Sequence, residues 1–243
     1  MPWVYLVGSG RYGFGLTHPL DCHVYLVQGQ GQYALIDSGV GLEVDAILRQ
    51  VRDDGLDPAQ ISTILITHSH ADHAGGAARL AQLTGAQVIA SRQAAPTLRT
   101  GDMVASGARL GQQAGIYPGD YQLTPCSIAR EVSDGDLINV GDIEFTVLET
   151  PGHCRDHLAF YARIEGKPSL FGGDSVFHSG RILIQNIPDC SLPEYSRTAQ
   201  RLAALEVDAL LTGHLTIALS GGHEHLQAAA DAFQALRIPP NAL

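Results

Sequence analysis

Five apolar runs in this chain end on a side chain able to hold a cation. "ILIT" leads into His68, "VLETPG" into His153 and "LLTG" into His214, while "LID" and "FGGD" close on Asp37 and Asp174. Short, nearly continuous apolar runs rich in β-branched residues read as buried strands. In open α/β sheets, ligands gather beyond the carboxyl ends of the strands. A fold that brings these strand ends to one rim would collect all five side chains. Random placement of eleven histidines would not favour strand ends.

The stretches between these runs fit the same picture. Residues 22–28 and 32–39 read as a β-hairpin around a Gly-rich break. Residues 42–55 have apolar positions at helical spacing and stop at Gly55, which predicts a helix. A strand over 61–67, a helix over 74–85 and a strand over 86–91 follow. Residues 92–127 are broken by glycine and proline and read as an excursion over the surface with the character of a lid. Residues 134–153 read as strand, tight turn, strand, and 156–163 and 168–175 as two more strands. A helix over 192–205, a strand over 207–214 and a helix over 223–236 complete the chain. The class is α/β, and with no linker or low-complexity segment the expectation is one domain over residues 1–243.

Composition narrows the function classes. The 243 residues carry a formal charge of −10, which disfavours nucleic acid and anionic membranes as partners. Cys22, Cys126, Cys154 and Cys190 form no CxxC pair, so neither a zinc ribbon nor a disulfide scaffold is expected. No basic segment leads into a long apolar run, and the expected location is the cytoplasm. The oligomeric state stays open, a dimer being compatible.

The densest chemistry is "THSHADH", residues 67–73. Imidazoles and carboxylates are costly to bury without partners, so three histidines and an aspartate in seven positions need a reason to cluster. His68 and His70 are two apart in an extended segment and can face one side. Asp72 and His73 follow as the chain turns into a helix. Imidazole and carboxylate suit zinc, with iron or manganese as alternatives. With His153, Asp174 and His214 there are seven candidate ligands, too many for one tetrahedral ion and enough for two ions sharing a carboxylate.

"HSHADH" followed in order by "TPGHC", "GGDS" and "LTGH" resembles the metallo-β-lactamase superfamily, whose signature is HxHxDH. "LIDSG" at 35–39 is a frequent companion. The resemblance spans roughly residues 20 to 220 and implies that family's four-layer αβ/βα sandwich. It implies a first divalent metal held by His68, His70 and His153, and a second held by Asp72, His73 and His214. Asp174 would bridge the two. The implied metal is zinc, and the implied chemistry is metal-assisted hydrolysis of a small-molecule substrate, water losing its proton on the cations near neutral pH. Asp72 then has two roles open to it, ligand and proton acceptor.

Fold and metal set do not choose the substrate. After His214 the chain has room for one helix, so the helical C-terminal domain with which glyoxalase II enzymes grip glutathione is not expected. Lactone-cleaving relatives often carry tyrosine three residues after the bridging aspartate, where this chain has Phe177. The leading expectation is a dinuclear hydrolase of a thioester, lactone or related carbonyl compound. The rivals are a mononuclear iron persulfide dioxygenase of the same fold and a non-catalytic metal-binding protein.

Other residues receive structural expectations. Asp37 is expected to support a ligand, His157 to bond locally and Cys154 to pack inside. His223 and His225 should open the last helix at the surface. "VGSGRYGFG" (7–15) lacks the Lys-Ser/Thr pair of a phosphate loop and reads as a loop beside the rim. Tyr117 and Tyr121 either pin the irregular segment to the core or present a hydroxyl to the rim. His18, His23 and His178 are not assigned.

Overall fold

A computed structural model of the chain describes residues 3–242. The backbone divides into two compact units. One runs to Val132 and takes in Val140–Asp142; the other is formed by Ser133–Asn139 and the chain from Ile143 onward. Among the described residues no helix is long and apolar enough to cross a membrane.

The first unit is built on a six-stranded sheet in sequential order: β1 (Val4–Gly8), β2 (Val24–Gly29), β3 (Gln32–Ile36), β4 (Ile61–Leu65), β5 (Gln87–Ser91) and β6 (Arg130–Val132). β1, β2 and β3 are antiparallel neighbours, whereas β3 to β6 run parallel. Parallel pairing requires crossovers, and the helix α1 (Val44–Asp53) supplies the one from β3 to β4. Its buried residues are Val44, Ile47, Leu48 and Val51, an i, i+3, i+4, i+7 stripe. Ile47 packs where Gly8 has no side chain: a Cβ on Gly8 would lie 2.9 Å from Val24 and 3.4 Å from Ile47.

The predicted helix over 74–85 is instead two helices, α2 (Ala71–Ala74) and α3 (Ala77–Thr84). Gly75 and Gly76 separate them because the chain Ser38–Val40 lies against that joint. A Cβ on Gly76 would stand 2.1 Å from the Ser38 carbonyl oxygen, and one on Gly75 2.2 Å from that of Val40. Residues 92–127 carry two short helices, α4 (Ala95–Thr100) and α5 (Ala108–Gln113). Their segment buries Met103, Ala108, Tyr121 and Leu123 with Val40 and Ala71.

A five-stranded sheet, all but Val140 in the second unit, is made of β7 (Leu137–Val140), β8 (Ile143–Glu149), β9 (Leu158–Ile164), β10 (Lys167–Gly173) and β11 (Ala209–Thr212), ordered β11-β10-β9-β8-β7. β8, β9 and β10 alternate in direction, and β11 runs parallel to β10. Helix α6 (Leu192–Ala203) starts on Ser191, whose hydroxyl accepts the Glu194 N–H, and buries Tyr195, Thr198, Ala199 and Leu202. Helix α7 (Gly222–Gln234) adds Leu226, Ala229 and Ala230 to the same apolar cluster, with Leu170 and Leu210 from the sheet.

Candidate metal centre

In the first unit, β3 and β4 end side by side. Ile36 pairs with Leu65, and the Asp37 N–H donates to the Leu65 carbonyl at 2.8 Å. Asp37 therefore stands beside Thr67 and His68. Its backbone is left-handed, φ 62°, a region an aspartate tolerates better than most residues. The carboxylate is held all round: Oδ1 accepts the Thr67 N–H at 2.7 Å, Thr67 Oγ1 donates at 2.8 and 3.0 Å, and His73 Nδ1 lies 2.8 Å from Oδ2.

These bonds assign protons to the imidazoles. The Thr67 hydroxyl spends its proton on Asp37, so at 3.0 Å it accepts from His68 Nδ1. His73 likewise directs Nδ1 at a carboxylate. Both rings thus turn Nε2 toward the neighbouring donors, the arrangement usual for ligating histidines. His68 Nε2 lies 3.1 Å from His70 Nδ1. Two nitrogens about 2.0–2.1 Å from a tetrahedral zinc are separated by about 3.3 Å, so this spacing suits a shared cation. His73 Nε2 lies 3.7 Å from Asp72 Oδ2. His68 and His73 are fully buried, and His70 and Asp72 half-buried.

Helix α2 is locked in place by its partners. The Ser38 hydroxyl and its N–H both donate to the His73 carbonyl, at 2.7 and 2.8 Å. Tyr117 donates its hydroxyl to Asp72 Oδ1 at 3.1 Å. Burial, and then the Asp72 charge, push that phenol well above its usual pKa. Tyr121 stacks on Tyr117 and donates to the Val40 carbonyl at 3.0 Å. Cys22 is buried beside His73, and desolvation pushes its thiol up to about 12.

The second unit assembles His153, Asp174 and His214. Gly173 pairs with Thr212, and the Gly213 N–H donates to the Gly173 carbonyl at 2.8 Å. This places Asp174 and His214 at adjacent strand ends. Asp174 Oδ2 lies 3.6 Å from His153 Nε2 and 3.6 Å from His214 Nε2. One carboxylate oxygen thus sits between two imidazoles. His153 Nδ1 donates to the Leu183 carbonyl at 3.2 Å, again leaving Nε2 on the cluster side. Leu215, next to His214, is also left-handed at φ 63°, a strained choice for leucine of the kind that concentrates at functional sites.

Two side chains behind this cluster support it in ways the sequence does not announce. His157 accepts the Asp174 N–H on Nε2 at 2.9 Å and therefore carries its proton on Nδ1, which faces Thr150 Oγ1 at 2.7 Å. Tyr195 is fully buried and donates to the carbonyls of Leu183, at 2.9 Å, and Asp174, at 3.2 Å. The one signal for His157 is its place four residues after His153. Tyr195 has none, because it acts on backbone carbonyls far away in sequence.

The unassigned histidines make other contacts. His18 accepts the Leu20 N–H, and His23 packs on Phe14 and Tyr25. His178 packs at a tilt against His225, with centroids 4.0 Å apart and planes at 45°, and burial and then His178 lower the pKa of His225. Cys154 is buried and donates to Asp156.

The metallo-beta-lactamase superfamily model matches residues 18–214. The chain belongs to this superfamily. Its α/β fold is the one that solved superfamily members share. A metallo-β-lactamase from Cronobacter sakazakii superposes with a TM-score of 0.75 at 21% identity, covering 97% of this chain and 91% of that one. A superfamily protein from Thermus thermophilus gives 0.74 at 25% identity, over 97% and 80%. Among curated proteins, the hydroxyacylglutathione hydrolase of Xanthomonas campestris pv. campestris (strain B100) is 30% identical over 88% of this chain and 64% of its own length. That of Polaromonas sp. (strain JS666) is 34% identical over 64% of this chain and 49% of its own. This superfamily member therefore spans about half to two thirds of the length of those relatives.

The donor chemistry fits the divalent metals of this superfamily. The first unit's cluster offers three imidazoles and a carboxylate, and the second unit's offers two imidazoles and a carboxylate. Three of the rings have Nδ1 already committed to an oxygen, which fixes the ligating tautomer.

Proposed function

We propose that the protein is a dinuclear metal-dependent hydrolase of a small ester-like substrate, with a thioester first among the candidates. In this reading residues 1–243 act as one domain. His68, His70 and His153 hold one divalent cation, Asp72, His73 and His214 hold a second, and Asp174 serves both. Zinc is the proposed metal. The observation that carries the reading is the Asp174 oxygen equidistant from two imidazole nitrogens, in a chain whose other donors follow the superfamily's order. The relatives named hydroxyacylglutathione hydrolase support the thioester. Four cysteines without a disulfide support a cytoplasmic location.

Bound cations would supply Lewis acidity, lowering the pKa of water toward about 7 and polarising the substrate carbonyl. The chain's own groups set the stage. Asp37, Thr67 and the Leu183 carbonyl hold three imidazoles in the ligating tautomer. His157 and Tyr195 fix the backbone that carries Asp174. Asp72, half-buried, would serve either as a ligand of the second cation or as the proton acceptor during turnover.

Purified protein is assayed against thioesters, lactones, β-lactams and phosphodiesters with zinc, manganese or iron, and its metal is counted. Close to two ions per chain and turnover of thioesters above the other classes are expected. One tightly held iron with consumption of a persulfide and oxygen would overturn the reading in favour of a dioxygenase. Full activity in a metal-stripped sample would also overturn it.

A further inference from the structure

Tyr117 lies 45 residues from Asp72 in sequence, in the Gly- and Pro-broken segment, yet its hydroxyl reaches Asp72 Oδ1 at 3.1 Å. The contact is prepared by the whole turn around it. A Cβ on Gly111 would stand 2.4 Å from the Tyr117 ring, so the ring rests directly on the backbone of α5. Gln112 Nε2 lies within 3.1 Å of the carbonyls of Pro118, Gly119 and Tyr121, closing the turn that carries the tyrosine. Tyr121 stacks on the ring, with centroids 5.2 Å apart and planes at 23°. Tyr121 is itself tied to the Val40 carbonyl. The phenol is therefore held in its orientation before any ligand arrives.

The bond distinguishes the two oxygens of Asp72. Oδ1 receives the phenol, and Oδ2 is the oxygen near His73 Nε2, at 3.7 Å. A carboxylate turning freely about its last bond offers either oxygen, or both, to a cation and loses that freedom on binding. A fixed phenol removes the choice beforehand. It does so without bringing a positive charge that would repel a cation, as lysine or arginine would. Hydrogen bonds to an ionised carboxylate are also stronger than neutral ones.

We infer that Tyr117 is a positioning residue that pre-sets Asp72 to bind the second cation through Oδ2. The inference rests on the proposed role of Asp72 as a ligand. Partners of metal ligands typically change metal affinity or activity about 10–100-fold when removed.

The test is zinc titration of the stripped protein against a competing chromophoric chelator, for the wild type, Tyr117→Phe, Tyr121→Phe and Asp72→Asn. Tyr117→Phe should weaken the second zinc about 10–100-fold and leave the first unchanged. Excess zinc should restore its kcat, which a damaged fold would not allow. Tyr121→Phe keeps the stacked ring and loses only the bond to the Val40 carbonyl, so it should weaken the second ion much less than Tyr117→Phe does. In an Asp72→Asn background, adding Tyr117→Phe should cost nothing further. Wild-type affinity in Tyr117→Phe alongside a weakened Asp72→Asn would overturn the role of Tyr117 alone. Equal weakening in Tyr117→Phe and Tyr121→Phe would overturn it as well, leaving only a structural tie. Wild-type affinity in Asp72→Asn would overturn it together with the proposed ligand set.

Discussion

Asp174 concentrates more of the proposed chemistry than any other side chain. Its Oδ2 stands at equal distances from two imidazoles, while its N–H and carbonyl are taken by His157 and Tyr195. The backbone bonds do not involve the carboxylate, so Asp174→Asn keeps them and keeps the shape of the side chain. The substitution should abolish hydrolysis while the far-UV spectrum stays native and the melting temperature of the stripped protein stays close to wild type. Turnover within a few-fold of wild type would remove Asp174 from the centre. At this scale the seven candidate ligands are legible in the sequence because their residue types and spacing are chemically specific. Their supports are less so. Asp37 can be named because it ends a strand neighbouring the ligand strand. Tyr195 cannot, since a tyrosine on the buried stripe of a helix looks the same whether its hydroxyl reaches a carbonyl or points elsewhere.

Elements are legible where they are long and periodic. Helix α1 follows from its 3.6-residue stripe, and β4 from its continuous apolar run. The strand β1 escapes a sequence reading because "VYLV" runs directly into a Gly-rich stretch with the look of a loop. That stretch is in fact tied down: the Gly10 N–H donates to the Asp21 carbonyl at 3.0 Å, the Arg11 N–H to that of Pro19 at 2.8 Å, and the Phe14 N–H to Ser9 Oγ at 2.7 Å. The strand β6 has three residues, too few for alternation to show. The joint between α2 and α3 is hidden because the crowding at Gly75 and Gly76 comes from a distant strand end. The same core logic gives a stability prediction. Ile47 is 1% exposed at the centre of the α1 stripe, with no part in either cluster. Ile47→Ala should cost about 2–5 kcal/mol, read as a lower denaturant midpoint at unchanged slope, with both zinc affinities intact. A loss below about 0.5 kcal/mol would mean that α1 does not anchor its sheet.

Across the whole chain, charge and metal act together. The formal charge is −10 before any cation is counted, and His68, His73, His153, Asp174 and His214, five of the seven proposed ligands, are buried. Buried imidazoles and carboxylates cost folding energy unless something pairs with them, and in the proposed reading divalent cations would supply part of that pairing. Ligands that bind only the folded state raise its stability by RT ln(1 + [L]/Kd), about 2.7 kcal/mol for one site at a hundredfold excess over Kd. For a chain of this size each kcal/mol moves the melting temperature by about 2–4 °C. Stripping one such site with a chelator should therefore lower the melting temperature by about 5–11 °C, and more if both are emptied. Adding zinc back should restore it in proportion to the logarithm of free metal. The comparison to run beside it is His68→Ala with Asp174→Asn, whose melting temperature should respond to chelator far less than that of the wild type. An identical response in the two proteins would place the stabilising metal somewhere other than these side chains.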